Sequence, residues 1–113
     1  MQECLFCSIA KGQTDTIFLY EDDELVAFRD ISPQAPFHIL IVPKAHMQSA
    51  ATLTEDEGSI LGRVFNLAAR LAAQDGYTNG YRIVTNVGEE GGQTVPHLHF
   101  HVLAGRNLGW PPG

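Results

Sequence analysis

A chain of 113 residues is long enough to bury one core and too short for two, and its 44% hydrophobic and 18% charged residues suit an ordinary globular domain. The formal net charge of −6 argues against a general nucleic-acid binder, which carries a basic stripe, but leaves room for one small anion in a locally positive pocket. No apolar run nears the roughly 20 residues that span a bilayer, and no basic-then-apolar leader is visible, so a single cytoplasmic domain over 1–113 with no membrane partner is expected.

The only two cysteines, Cys4 and Cys7, form Cys-Leu-Phe-Cys. That spacing fits half of a zinc site, a redox pair, or two small residues packing a short helix. A redox pair normally follows a strand, and none precedes this one; a zinc site needs two further ligands, which histidines can supply. Leu5, Phe6 and Ile9 sit at helical spacing and predict a short turn that Gly12 ends. Residues 17–21 and 24–29 read as strands joined by the acidic turn Glu21-Asp22-Asp23. Two prolines make 30–36 a loop. Residues 37–42 form the next strand, closed by Pro43, and 44–53 are irregular and carry His46.

Thr54 and Glu57 have the spacing of a capping box, so a helix should start there. Ile60, Leu61, Val64, Phe65, Leu67, Ala68 and Leu71 give it a broad apolar face, and Gly76 should end it. A fourth strand is predicted over 81–85, and a glycine-rich loop over 86–96. The long helix and the strands imply an α+β domain with its helices on one sheet face. The tail, 105–113, ends Trp110-Pro111-Pro112-Gly113, and its tryptophan has no obvious core to join.

The chain's most informative stretch is 96–103, where His97, His99 and His101, three of the five histidines, alternate with Leu98, Phe100 and Val102. On a strand, residues two apart share a face, so the imidazoles would form one row and the apolar residues would enter the core. Such a row can hold a metal, or place a nucleophile beside hydrogen-bond donors for a phosphoryl or acyl oxygen. Immediately before it, Gly88, Gly91 and Gly92 would let backbone N–H groups approach an anion, with Gln93 and Thr94 as side-chain donors.

His97-Leu98-His99-Phe100-His101-Val102-Leu103 resembles the signature of the histidine triad superfamily. The likeness extends through 30–36, His38, 41–44, 91–94 and the terminal 110–113, and is to the Hint branch of purine nucleoside phosphoramidases. It implies a five-stranded antiparallel sheet with one long and one short helix, continuous across a symmetric homodimer. It implies cleavage of the P–N bond of a nucleoside 5′-phosphoramidate, with His99 as nucleophile through a nucleotidyl-histidine, His101 as donor to a phosphate oxygen, and His97 and His38 in support.

By the same resemblance Asn86, Gly92, Gln93 and Thr94 face the phosphate, and Asp30 binds the ribose. Leu5, Phe6, Ile9, Phe28, Ile31 and Leu40 surround the base, and Trp110 reaches the partner's pocket. Pro96 stands where the branch commonly has an aromatic residue. In some members of the superfamily a cysteine pair joins two histidines around structural zinc, here Cys4, Cys7, His46 and His97, while catalysis itself uses no cofactor. Two other readings remain: a metal-dependent hydrolase using the histidine row, and a nucleotide-sensing adaptor with incidental activity.

Overall fold

The computed structural model describes residues 4–113. Five strands, β1 (Phe18–Glu21), β2 (Leu25–Arg29), β3 (Phe37–Pro43), β4 (Tyr81–Val84) and β5 (Phe100–Ala104), form one antiparallel sheet in the order β1-β2-β3-β5-β4. The helices are α1 (Leu5–Ala10) and α2 (Gly58–Gln74). The α+β class and the antiparallel five-stranded sheet are as expected. The placement of the helices is not: they cover opposite faces of the sheet.

Strand periodicity explains the two layers. Phe37, Ile39 and Ile41 of β3, with Leu25, Ala27, Phe100, Val102 and Ala104, turn to one side and meet Ile60, Val64, Leu67, Ala68 and Leu71 of α2. His38, Leu40 and Val42 turn to the other side, where Leu40 and Val42 join Val26 and Phe28 against Phe6, Ile9 and Ala10 of α1. The first layer is the main core. The second is thin, and a cleft lies in it.

Local chemistry sets the element ends. The Asp22 carboxylate accepts the N–H groups of Glu24 (2.7 Å) and Leu25 (2.8 Å), closing the turn between β1 and β2. Arg63 of α2 then pairs with Asp22 and Glu24, tying the helix to that turn. The expected capping box of Thr54 and Glu57 is present, with the Thr54 N–H donating to the Glu57 carboxylate at 2.8 Å, but it caps a 3-10 turn over Glu55–Glu57 that precedes α2, which begins at Gly58. Gly76 ends the helix at φ +87°, a conformation other residues resist. Phe65, expected on the apolar face, is 54% exposed. It lies about 100° around the helix from Val64, outside the stripe that meets the sheet.

The second departure concerns the histidine strand. β5 begins only at Phe100, so His97 and His99 precede it. Pairing with β3 stops at Ile41 opposite Phe100, just before Pro43, which has no N–H to extend the ladder. The Leu98 N–H instead donates to the Met47 carbonyl (2.6 Å) and the His97 N–H to Val95 (2.8 Å). The alternation survives without the ladder: Leu98 joins the main core while His97 and His99 face the other layer. No helix among the described residues is long and apolar enough to cross a membrane.

Phe37 is 1% exposed and packs on Tyr77 at a ring separation of 5.2 Å. Phe37→Ala should cost about 3–5 kcal/mol in urea unfolding. Ile17→Ala, at a site 83% exposed, should stay within about 0.5 kcal/mol of the parent.

Candidate active site

Between α1, the end of β2 and the loop after β4 lies a cleft of about 440 Å³. Its apolar wall is Leu5, Phe6, Ile9, Phe28, Ile31 and Leu40; its polar end holds Asp30, Asn86, Gly92, Thr94, His99 and His101. Ile31 is 99% exposed, an apolar side chain standing at the mouth in water.

Backbone groups fix the proton on each imidazole. The His99 Nδ1 lies 2.7 Å from the carbonyl oxygen of His97, and a carbonyl can only accept, so the proton is on Nδ1 and the Nε2 lone pair is free. Phe6 meets the His99 ring edge-to-face at 4.9 Å, and Thr85 Oγ1 donates to the His99 carbonyl at 2.8 Å. Ring and backbone of His99 are thus both held, while the residue remains 6% exposed toward the cleft.

His38 and His101 form a relay. The backbone N–H of Gln34 donates to His38 Nδ1 at 3.0 Å, so the neutral ring carries its proton on Nε2. That N–H points at His101 Nδ1, 2.9 Å away, which leaves His101 with its proton on Nε2. Asp30 stands beside both, its Oδ2 3.4 Å from His38 Nε2 and 3.8 Å from His101 Nδ1, while its Oδ1 accepts the Ser32 N–H at 2.8 Å. Desolvation lowers the pKa of both imidazoles from 6.5; for His101 the neighbouring His99 and His38 push the same way, and Asp30 partly offsets the shift in each. Asp30, His38 and His101 are also close enough to surround a cation. The chemistry opposes it: the Gln34 N–H occupies the Nδ1 lone pair of His38 and keeps the proton on the nitrogen that would have to bind metal.

His97 belongs elsewhere. Its side chain is fully buried, its Nε2–H donates to the Pro43 carbonyl at 2.8 Å, and its bare Nδ1 faces Cys4 Sγ (3.2 Å) and Cys7 Sγ (3.5 Å). His46 Nδ1 lies 3.2 Å from Cys7 Sγ. Two sulfurs and two imidazole nitrogens therefore converge. Tetrahedral zinc at ordinary bond lengths would place sulfur and nitrogen about 3.6 Å apart, close to the separations here. The Pro43 carbonyl supplies the outer hydrogen bond that orients a ligating imidazole. The donor set and the tautomer both fit zinc.

A match to the HIT domain family model covers residues 11–108. Over 112 residues the chain is 45% identical to an uncharacterized HIT-like protein of Synechococcus elongatus, covering 99% of this chain and 98% of that one. The chain belongs to the HIT family. It is also 44% identical over 111 residues to a 14 kDa zinc-binding protein of Zea mays, covering 96% of this chain and 87% of the relative. The solved structure of a HIT family hydrolase from Legionella pneumophila superposes with a TM-score of 0.95 at 45% identity, covering 98% of this chain and all of that one.

Within this HIT domain most expected site residues meet at one place. Three do not. His97, expected in support of catalysis, turns its ring to the cysteines because its Nε2 is held by Pro43. Gln93, expected at the phosphate, spends its amide inside the loop: Oε1 accepts from the Gly88 N–H (3.0 Å) and Nε2 donates to the carbonyls of Gln48 (2.7 Å) and Val95 (3.0 Å). Trp110, expected at a partner's pocket, is 84% exposed and is not among the residues that line its own chain's cleft. The expected anion cradle is also reduced, since the N–H groups of Gly92 and Gln93 donate to Glu89 and Gly88. Gly91 is needed there because a side chain would run into the Val87 carbonyl.

Sequence reasoning missed Thr16, Arg29 and Val95 in the cleft wall, Thr85 behind His99, and the backbone of Gln34 and Pro43. None carries a motif. Arg29 had one available signal, its place beside Asp30 at the end of β2.

The depressed pKa values of His38 and His101 make stability pH-dependent. Folded, these rings resist protonation, so below pH 6.5 the unfolded chain takes up protons first. Their contribution is full above pH 6.5 and is lost as pH falls through the lowered folded values. Melting temperature should therefore hold steady above pH 6.5 and decline below it, less steeply in His38→Asn; an unchanged slope in that variant would count against the relay.

Proposed function

We propose that this HIT protein hydrolyses the P–N bond of purine nucleoside 5′-phosphoramidates through a nucleotidyl-His99 intermediate, as a phosphoramidase of the Hint type. The observation that carries this reading is the His99 ring, pinned through Nδ1 with a free Nε2 at the polar end of a nucleoside-sized cleft. As Nε2 bonds to phosphorus, positive charge grows on the ring, and the His97 carbonyl stabilises the Nδ1–H that carries it. The relay through His38 leaves an Nε2–H on His101 for a non-bridging phosphate oxygen. Asp30 suits the ribose hydroxyls, Asn86 and Thr94 suit the phosphate, and Phe6, Ile9, Phe28, Ile31 and Leu40 suit a flat purine. The P–N bond breaks as the leaving nitrogen takes up a proton and departs as the amine, and water then attacks the nucleotidyl phosphorus, giving the nucleoside monophosphate and free His99.

The metal-dependent alternative using the histidine row has less support, because the three imidazoles face three different partners. Zinc instead belongs at Cys4, Cys7, His46 and His97, where it ties α1 to the segments beside it and makes no bond to substrate. The relative from Zea mays, named for zinc binding, supports that assignment.

His99→Ala should lower turnover of adenosine 5′-phosphoramidate by about 10⁴-fold or more, leaving adenosine monophosphate binding within about threefold, because the variant loses only the covalent step. Acid-labile nucleotidyl adducts should map to His99 in the parent. Near-normal turnover by the variant would end the assignment.

A symmetric homodimer completes the reading. β4 is an edge strand with Tyr81 exposed, and its Arg82 holds the carbonyls of Leu108 (3.3 Å) and Gly109 (2.8 Å), so the tail and its exposed Trp110 leave along that edge. Deleting residues 109–113 should alter selectivity for the leaving amine more than affinity for the monophosphate. A monomer at micromolar concentration by sedimentation, or unchanged amine selectivity, would refute it.

A further inference from the structure

One residue is shared by two sites. The His97 ring belongs to the cluster with Cys4, Cys7 and His46, while its carbonyl, 2.7 Å from His99 Nδ1, holds the nucleophile's ring. The cluster reaches the cleft by a second path as well. Phe6 lies between the two cysteines on α1, edge-on to His97 at 6.0 Å and to His99 at 4.9 Å, and forms part of the apolar wall. α1 has only six residues, too few to hold a helix by its own hydrogen bonds, so its position depends on what its side chains grip.

The cysteines are placed to lose that grip together. Both lie on α1, Cys4 as its N-cap and Cys7 one turn on, with the Cys7 N–H donating to Cys4 Sγ at 3.4 Å. Both are partly exposed, and a cavity of about 490 Å³ opens onto Cys4, His46 and Pro96. A bond between the two sulfurs would therefore be local to α1 and would leave both histidines unliganded.

We propose that the Cys4/Cys7 pair makes this enzyme oxidant-sensitive: a peroxide that joins the two sulfurs expels the metal and, through His97 and Phe6, unseats His99. The inference rests on the zinc and nucleophile assignments above. Two metal-bound thiolates, one hydrogen peroxide and two protons give one Cys4–Cys7 disulfide, one zinc ion and two waters. The sulfurs together lose two electrons and the peroxide gains them, breaking its O–O bond; a dithiol reductant with zinc reverses the change. The metal makes no bond to substrate in this scheme, and His97 acts as a positioning residue through its main chain. The fold survives because the main core between the sheet and α2 contains none of the four ligands.

The test uses the full chain with its zinc content measured and hydrogen peroxide added in stoichiometric amounts. Four signals are followed: zinc release to a chromophoric chelator, mass of the peptide containing both cysteines, the His99 Nδ1–H in ¹⁵N-histidine NMR, and turnover. Zinc release should track the loss of two hydrogens from that peptide, the His99 Nδ1–H should lose its protection, and turnover should fall about 10- to 100-fold. Dithiol plus zinc should restore all four. His46→Ala, which leaves His97 and both sulfurs in place, should weaken zinc binding and reproduce the NMR change without oxidant. Cys4→Ser should show the same change and no further response to peroxide. An unaltered His99 signal after complete zinc release would overturn the coupling, as would sulfurs that stay reduced while activity falls. Because the metal, mass and NMR signals need no substrate, their response in a protein that fails to turn over phosphoramidate would support the coupling and sink only the substrate assignment.

Discussion

The contact between His99 Nδ1–H and the carbonyl of His97 constrains more of this structure than any other. Its length of 2.7 Å fixes which nitrogen of His99 is bare, and the nucleophilic role proposed for the ring depends on that choice. For the carbonyl to point that way, the backbone must be held at the bend over residues 95–97, where no strand partner holds it. Three hydrogen bonds contribute, His97 Nε2–H to Pro43, the His97 N–H to Val95 and the Leu98 N–H to Met47, and the convergence of Cys4, Cys7 and His46 on the His97 ring adds to them. The orientation of the His99 ring is thus set outside the cleft, in the packing between β3 and the segment leading into β5.

The same device recurs at each imidazole of the triad and its neighbour. A carbonyl or an amide, whose donor or acceptor role cannot change, fixes one ring nitrogen and so determines the other. Pro43 does this for His97, the His97 carbonyl for His99 and the Gln34 N–H for His38, which passes the assignment to His101. Four histidines of similar intrinsic chemistry acquire different tasks without a charged partner for each. The arrangement works with neutral rings, and burial keeps His38, His97 and His101 neutral by lowering their pKa values.

These controls explain what could and could not be read from the chain alone. The alternation of Leu98, Phe100 and Val102 with histidines was legible because burial repeats every two residues whether or not a ladder forms. The helix of residues 58–74 was legible from its stripe, but Phe65 was assigned to it because apolar type was weighed more than angular position. The glycines before the triad suggested free amides. In fact the tight turn they permit consumes the N–H groups of Gly92 and Gln93. Gln34 and Pro43 act through main-chain atoms that every comparable residue possesses, so no residue type marks them. Cys4 and Cys7 raised the question of zinc, and the choice of His46 and His97 came from family resemblance; the structure adds the tautomer that makes His97 a competent ligand.

The division of the sheet into two faces has an energetic consequence. The α2 face carries the large core, so folding free energy is supplied chiefly where no chemistry occurs. On the other face, seven buried apolar residues and a six-residue helix must shape a cleft that also stays open to solvent. Packing alone is a weak constraint there, since widening that layer would strand polar groups and expose more of Phe6. Cys4, Cys7, His46 and His97, drawn from α1, the segment after β3 and the lead into β5, converge at one point, and the zinc proposed there would tie these pieces with less chain than a longer helix needs. A small domain that keeps its site on its thinner side therefore depends on a few strong directional bonds, and whatever breaks those bonds reaches the chemistry before it reaches the core.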